Sequence, residues 1–585
     1  MNLNTVTLLL NCVVLATSTY AEQAAATRSP ARPNIIVILA DDSGYSDLGC
    51  YGGEIDTPNL DRLAREGVRF TQFYNNGRCS PTRASLMTGR ESAAVGFAAG
   101  TLGGWNREME QLPYRARLPY ETPTLPELLK ASGYQTFLAG KWHLGGSLMK
   151  TGLDRPQQWK AQHPGWELTP EEIEADYNAL PMQRGFDRFF GPVEGETHQF
   201  LVPDADAPGG KIPCTLSHNM YLDGNVPAKI EATRTYTMRC YSENKTRYPF
   251  HPSDGKTGLA WFATDGQTDA ALDMINQAKE ARQPFFLYLA YQSPHAPLQA
   301  PQALVDKYTA RYADLGKVET DRVAGLIREK ILPAGTDYKK TFSGTGKNNP
   351  AKAEQTRELA AIHAAMMENM DENIGRIVTR LREQGQLDST LIVYLSDNGA
   401  ASSLGDLMNK PYIGCKALLW EGGIRTAFIA SWPGHIKPNT LNDTVGWVGD
   451  LLPTFLAAAN VPFPKTFRNV PTTPPDGRNL LPALMGTAMP PPGYIFSNDK
   501  GQQGVVYQGR WKLLINPGWY ALTRKNATTV YELYDLTTDP TETRNLATSQ
   551  PEMVKQLATA CEDWQKRSGI LDYGELLKTR PDFSN

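Results

Sequence analysis

The residues best able to do chemistry in this sequence stand directly after apolar runs. Asp41 and Asp42 follow the run at 34–40, and Lys141 and His143 follow the run at 134–139 within Gly140-Lys-Trp-His-Leu-Gly145. His295 follows the run at 284–291, and Asp397 with Asn398 follows the run at 390–396. Three carboxylates and an amide form an all-oxygen donor set, which suits a hard cation such as calcium or magnesium better than zinc. Neither an HExxH nor an HxxxH pattern occurs, which argues against a zinc-protease-like site. A single Asp at a strand end also reads as a turn or helix cap. The reading as a metal site rests on two such polar pairs ending strands of one sheet.

A second constellation is Cys79-Ser-Pro-Thr-Arg-Ala-Ser-Leu-Met-Thr-Gly-Arg90. Pro81 falls where the first turn of a helix tolerates it, so the pattern predicts a helix beginning at Cys79. The N–H groups and dipole of a helix N-terminus favour an anion there. Arg83, one turn on, can reach back toward Cys79. On these grounds Cys79 reads as a low-pKa thiol and a candidate nucleophile. The competing reading is an inert, buried cysteine.

These groups need a scaffold that brings them to one place. The four apolar runs are continuous, not alternating, as expected of parallel strands covered on both faces. Between them, Leu359, Ile362, Met366, Met370, Ile374, Ile377 and Leu381 recur at helical steps, and shorter helices are predicted at 124–131 and 268–281. Strands alternating with helices imply an α/β fold: a large, mostly parallel sheet sandwiched by helices. In such sheets ligands bind beyond the carboxyl ends of the strands, where all of these polar residues lie. Residues 146–260 are rich in Pro, Gly, Asp and Trp and read as long insertions that shape a pocket. A Pro-rich connector begins near Val461. Beyond it, short strands at 494–497, 505–507, 511–515 and 531–536 and a helix at 551–567 predict a small α+β subdomain. The expected organisation is a catalytic domain at 32–475 and a C-terminal subdomain at 476–585.

Composition narrows the function class. The chain has 585 residues, 41% of them apolar, and a formal net charge of -3. It lacks the basic surplus of a nucleic-acid binder. Residues 1–21 carry no charged side chain, hold a short apolar stretch at 6–16 and end in Thr19-Tyr20-Ala21. This reads as a secretory signal, so the protein is expected to be exported, to a periplasm or the exterior, with no membrane span in the mature chain. Of the seven cysteines, Cys12 leaves with the signal, and no CxxC pair occurs. Cys214 and Cys240 bracket one loop-rich segment and are either disulfide-bonded or free.

Together these residues resemble a known family. Cys79-x-Pro81-x-Arg83 followed by Thr88-Gly89-Arg90 resembles the signature of the type I sulfatases, of the alkaline phosphatase superfamily. Asp41-Asp42-x-Gly44, the Gly140–Gly145 motif, Asp397-Asn398-Gly399, Lys416 ahead of Glu421-Gly-Gly423, and Leu533-Tyr-Asp-Leu-x-x-Asp-Pro-x-Glu542 resemble further family motifs, in the family order. The resemblance spans roughly residues 32–550, apart from the insertions.

The resemblance implies a sulfuric ester hydrolase acting on an aryl sulfate or a sulfated carbohydrate. It implies that Cys79 is oxidised to Cα-formylglycine by a formylglycine-generating enzyme and works as a gem-diol. Asp41, Asp42, Asp397 and Asn398, with residue 79, would hold one calcium ion. Arg83 and Lys141 would steady the gem-diol, and His143 would deprotonate its second hydroxyl. Lys141, His295 and Lys416 would bind the sulfate oxygens, the last two placed to help the leaving group. One departure is visible: the segment after Gly89 lacks the histidine-containing stretch of many members, which bears on substrate contacts. His198 is a candidate pocket residue. The competing functions are a phosphate or phosphonate monoester hydrolase of the same superfamily and a catalytically retired glycan-binding protein.

Overall fold

The computed structural model describes residues 32–98, 113–146, 169–193, 262–339, 350–499, 501–518 and 528–571, with short pieces at 195, 199, 221–224, 226–227, 238–240, 575 and 578. The expected signal, His198, Cys214 and most of the 146–260 insertions lie outside the described residues.

The strands that build the main sheet are β1 (Asn34–Ala40), β2 (Val68–Phe70), β3 (Gln135–Gly140), β4 (Arg188–Pro192), β5 (Tyr221–Asp223), β6 (Val226–Pro227), β7 (Phe285–Ala290), β8 (Thr390–Ser396), β9 (Phe428–Ser431) and β10 (Thr440–Asn442). The helices around it are α1 (Pro58–Arg65), α2 (Cys79–Thr88), α3 (Leu125–Ala131), α4 (Ala263–Ala281), α5 (Leu315–Arg328), α6 (Pro350–Glu383) and α7 (Leu451–Ala458). The spatial order of the ten strands is β10-β2-β9-β8-β1-β7-β3-β4-β5-β6. The five central strands, β8-β1-β7-β3-β4, are mutually parallel. The neighbours β9 and β5 run antiparallel, so the sheet is mixed.

The unbroken apolar character of the central strands has a direct cause. In β1, Ile35, Val37 and Leu39 enter one core and Ile36, Ile38 and Ala40 enter the other. Every residue of the strand therefore faces a layer of packing, as parallel strands with both faces covered require. One layer holds α2, α3 and α7, and the other holds α1, α4 and α6. The seven residues of the helical stripe from Leu359 to Leu381 are all buried against the second core. Helix α4 starts at Ala263, a turn earlier than its apolar pattern suggests.

Register then determines where the strands stop. Ala40 pairs with Ser396, Leu39 with Ala290, and Ala290 with Gly140. The carboxyl ends of β1, β8, β7 and β3 thus finish side by side.

A second sheet holds four antiparallel strands: β11 (Tyr494–Asp499), β12 (Gln502–Tyr507), β13 (Trp511–Ile515) and β14 (Tyr531–Asp535). Helix α8 (Pro551–Ser568) covers one face through Leu557, Ala558 and Cys561. The other face, with Ile495, Val506, Leu514 and Tyr534, joins the first core of the large sheet. No helix among the described residues is long and apolar enough to cross a membrane.

Candidate active site

The residues expected from the sequence to act together do converge beyond the aligned strand ends. Asp41, Asp42, Lys141, Asp397 and Asn398 are buried to within 1% of fully, and His295 is 7% exposed. Helix α2 begins at Cys79, and all ten of its residues are buried. Cys79 Sγ lies 3.4 Å from Asp41 Oδ1 and 3.5 Å from Asn398 Oδ1. Ligand-type atoms of Asp41, Asp42, Cys79 and His295 all fall within 4.8 Å of one another. Asn398 turns its amide nitrogen to Asp42 Oδ1, donating at 2.6 Å, which leaves its oxygen on the side of Cys79.

The cations are arranged around these acids. Lys141 Nζ donates to Asp41, and Lys416 Nζ lies 2.8 Å from Asp42 Oδ1. Arg83 makes a two-pronged contact with Asp397 Oδ2, from Nε at 3.1 Å and from a terminal nitrogen at 2.7 Å. It also donates to the Lys141 carbonyl at 2.9 Å, tying β3 to β8 beneath the site. Arg83 therefore orients Asp397, and it also comes within 3.4 Å of Asp41 Oδ2, beside Cys79. His295 Nε2 is 3.7 Å from Asp42 Oδ2, and its Nδ1 sits 2.6 Å from the Ala296 carbonyl oxygen.

These positions shift the ionisation of the site residues. Burial drives Asp41 upward, but Lys141, His295 and Arg83 outweigh it and hold its carboxyl well below the usual range. Asp42 is likewise lowered, with Lys416 the chief opponent of burial. Asp397 goes the other way, pushed up to about 6 by burial and by Asp41. Burial, Lys141 and Arg83 keep His143 well below its ordinary value, and burial with Lys416 lowers His295. Both imidazoles are therefore neutral near pH 7.

Cys79 corrects one expectation. Its thiol is pushed up to about 12, by burial first and then by Asp397 and Asp41. Burial above all, with the two carboxylates behind it, outweighs the helix N-terminus, whose effect is confined to the first turn and is modest. The encoded side chain is a protonated thiol, not a ready thiolate.

Two neighbours escaped the sequence reading. Tyr288, in the apolar run of β7, places its hydroxyl 3.4 Å from an Arg83 nitrogen. Its hydroxyl, the one polar side-chain group in the strand Phe285–Ala290, was the available signal. Asp499, at the end of β11, pairs with Arg78, the residue before Cys79. Nothing local in the sequence links them, because they lie 421 positions apart.

The sulfatase family model matches residues 33–461. The chain belongs to the sulfatase family. It is a sulfuric ester hydrolase with an alkaline-phosphatase-like fold. Arylsulfatase A of Homo sapiens is 29% identical, over 90% of this chain and 86% of its own. The arylsulfatase of Klebsiella aerogenes is 27% identical, over 77% of this chain and 91% of its own. The N-acetylgalactosamine-6-sulfatase of Homo sapiens is 30% identical, over 81% of this chain and 70% of its own. Among solved structures, Ps i-CgsB superposes with a TM-score of 0.63 at 24% identity, covering 94% of this chain and 99% of that one. A phosphonate monoester hydrolase of Agrobacterium radiobacter shares the fold at a TM-score of 0.55 and 18% identity. The sulfatase fold is thus shared with an enzyme of another ester class, and side chains must carry the distinction.

Proposed function

We propose that this sulfatase hydrolyses an aryl sulfate or a sulfated carbohydrate with Cys79 in its Cα-formylglycine form and with one calcium ion bound beside it. The observation that carries this reading is the surroundings of Cys79: a buried, protonated thiol at a helix start, held against Asp41 and Asn398. A thiol so placed is a poor nucleophile, which suits a precursor residue better than a finished catalyst.

The donor set fits calcium. Asp41, Asp42, Asp397 and Asn398 offer hard oxygens, and three carboxylates match a divalent ion. When bound, the aldehyde and the ion together supply a hydroxyl nucleophile of lowered pKa and a clamp on the ester oxygens. The rest falls to this chain's side chains. Arg83 fixes the angle of Asp397. His143, neutral, is fit to accept a proton from residue 79. Lys141, Lys416 and His295 ring the position where sulfate charge gathers, and such preorganised donors stabilise a sulfuryl group in transfer. The nearness of Lys416 and His295 to Asp42 supports giving them a second role, assistance to the departing oxygen. By the same reading the chain is exported, and a formylglycine-generating enzyme acts on it before or during folding. That timing suits a residue only 6% exposed in the folded protein.

Two measurements test the proposal. Mass spectrometry of the peptide holding residue 79, from protein made in its own host, should show aldehyde in place of thiol. Rates on matched aryl sulfate and aryl phosphate esters should favour the sulfate. An unmodified cysteine in fully active enzyme, or a preference for phosphate, overturns it.

A further inference from the structure

The face of the C-terminal sheet turned toward the large domain carries a charge. In β13, Trp511, Leu513 and Ile515 pack under α8, so the alternation of a strand sends Lys512 the other way. Lys512 is wholly buried opposite Val506 and Tyr534. A lysine so placed needs partners. It has two: Glu421 Oε1 at 2.8 Å and Glu542 Oε1 at 2.9 Å. Glu542, from the motif after β14, also accepts the backbone N–H of Glu421 at 2.7 Å. The other oxygen of Glu421 meets an Arg425 nitrogen at 3.0 Å and the Tyr74 hydroxyl at 3.1 Å. Two acids and two bases thus close a ring around the first residue of Glu421-Gly-Gly423.

The two glycines after Glu421 have no slack. A Cβ on Gly423 would lie 1.8 Å from the Leu418 carbonyl oxygen and 2.7 Å from that of Cys415. A Cβ on Gly422 would lie 2.4 Å from the Gly414 carbonyl oxygen. Gly399, next to Asn398, donates its N–H to the Gly423 carbonyl at 3.0 Å. The backbone on either side of Lys416 therefore rests directly on the glycines that Glu421 anchors. The small sheet grips the same loop twice more, with Gln502 donating to the Ala417 carbonyl at 3.2 Å and Glu532 accepting from Trp420 Nε1 at 2.8 Å.

We propose that Lys512 is a positioning residue for catalysis: by clasping Glu421 and Glu542 between the two sheets, it sets the 414–423 loop so that Lys416 stands at Asp42. The inference rests on the reading of Lys416 as a group that acts on the sulfate ester. It adds that the C-terminal sheet is part of the catalytic apparatus, although every group at the strand ends comes from the large sheet and its loops.

The experiment compares Lys416→Ala, Lys512→Met, Lys512→Arg and the Lys416→Ala/Lys512→Met double variant in the full chain carrying the aldehyde. Each is assayed on aryl sulfates of graded leaving-group pKa, with melting temperature alongside. A displacement of the lysine by about an ångström should lower kcat/KM by about 10²-fold on the poorest leaving groups. The loss in Lys512→Met should shrink as the leaving group improves, in parallel with Lys416→Ala. The double variant should be no worse than Lys416→Ala, and Lys512→Arg should recover most of the rate. Equal loss across the series, or losses that multiply in the double variant, would reduce Lys512 to a stability role and overturn the clasp. If Lys512→Met does not fold, Glu542→Gln, which keeps an acceptor for the Glu421 N–H, must show the same leaving-group pattern in weaker form or the clasp is wrong. A wild-type rate in Lys416→Ala overturns the assignment of Lys416 and the clasp with it. A crippled Lys416→Ala beside an unaffected Lys512→Met overturns the clasp alone.

Discussion

Two buried charge clusters lie at the two ends of the loop from Lys416 to Glu421, and they differ in arrangement more than in composition. At the strand ends, Asp41, Asp42 and Asp397 face Lys141, Lys416 and Arg83. In the clasp, Glu421 and Glu542 face Lys512 and Arg425. The clasp alternates in sign, and each acid of the ring meets a base or a backbone N–H within 3.0 Å. At the strand ends each acid also meets a base, Asp41 with Lys141, Asp42 with Lys416 and Asp397 with Arg83, but here three acids crowd together and not two. Asp41 and Asp42 are consecutive, and Asp397 lies on the adjacent strand. Both clusters split in ionisation: Asp41 and Asp42 are depressed while burial and Asp41 raise Asp397 to about 6, and Glu421 is lowered while burial raises Glu542 to about 7. Like-charged oxygens held together cost stability unless a cation shares them. What sets the strand ends apart is that ligand-type atoms of Asp41, Asp42, Cys79 and His295 fall within 4.8 Å of one another, an arrangement that could hold a metal ion.

The contrast yields tests of graded size. The largest concerns residue 79. Cys79→Ser, made in a host that does not oxidise that serine, offers one hydroxyl instead of two. It should release at most about one product per enzyme and retain a sulfate ester on the introduced serine, seen as a mass increase on that peptide. Steady turnover near the wild-type rate would point instead to direct attack by water.

Next comes the acid cluster itself. Asp397→Ala should lower activity by roughly 10³-fold, while circular dichroism shows the fold intact. In wild type, calcium at a hundred times its Kd should stabilise by about 2.7 kcal/mol, read as a rise in melting temperature that chelator reverses. Asp397→Ala should lose most of that rise. If it keeps the full rise, the ion does not use Asp397.

The clasp should respond in the opposite sense, through stability. Glu421→Ala leaves Lys512 and Arg425 with fewer partners, and breaking a buried pair costs about 3–5 kcal/mol. Denaturant unfolding should show this loss, with calcium still raising the melting temperature. A melting curve unchanged from wild type would mean that the ring contributes nothing to holding the sheets together.

The smallest effect lies outside both clusters. Asp371 of α6 accepts the N–H groups of Asn59 and Leu60 at 3.0 and 2.7 Å, capping α1 from a neighbouring helix. Burial raises its pKa from 3.8 to about 6. The folded state thus holds this proton more tightly than the unfolded one, so stability falls as pH rises from about 4 to 6. Asp371→Asn, neutral at every pH and about as good a cap as Asp, should flatten that slope, with kcat/KM on aryl sulfate unchanged. A slope equal to wild type would refute the shift.

Much of the fold and the site was legible in the chain. The strands 34–40 and 390–396 were readable to the residue, because continuous apolar runs ended by Asp41-Asp42 and by Asp397-Asn398 have few other interpretations. Helix α2 began where Pro81 allows it. Short strands such as β2 and β10, three residues each, were missed because three residues carry no usable period. They are held by the sheet edge, not by their own pattern. The protonation of Cys79 was misread for a related reason. A helix N-terminus is visible in sequence, but the burial that overrides it comes from the folded core, and the carboxylates that add to it lie 38 and about 320 positions away.

By itself, the sequence determined which residue types would sit beyond which strands, since that follows from local apolar runs and the polar residues that end them. It also carried the motifs that mark the family. Only the tertiary structure decided how those groups share charge: that Arg83 turns to Asp397, that Asp397 and Asp41 ionise differently, and that Lys512 reaches Glu421 across 91 positions. Ionisation depends on burial and on distances between side chains from separate segments, and no local stretch of sequence contains either quantity.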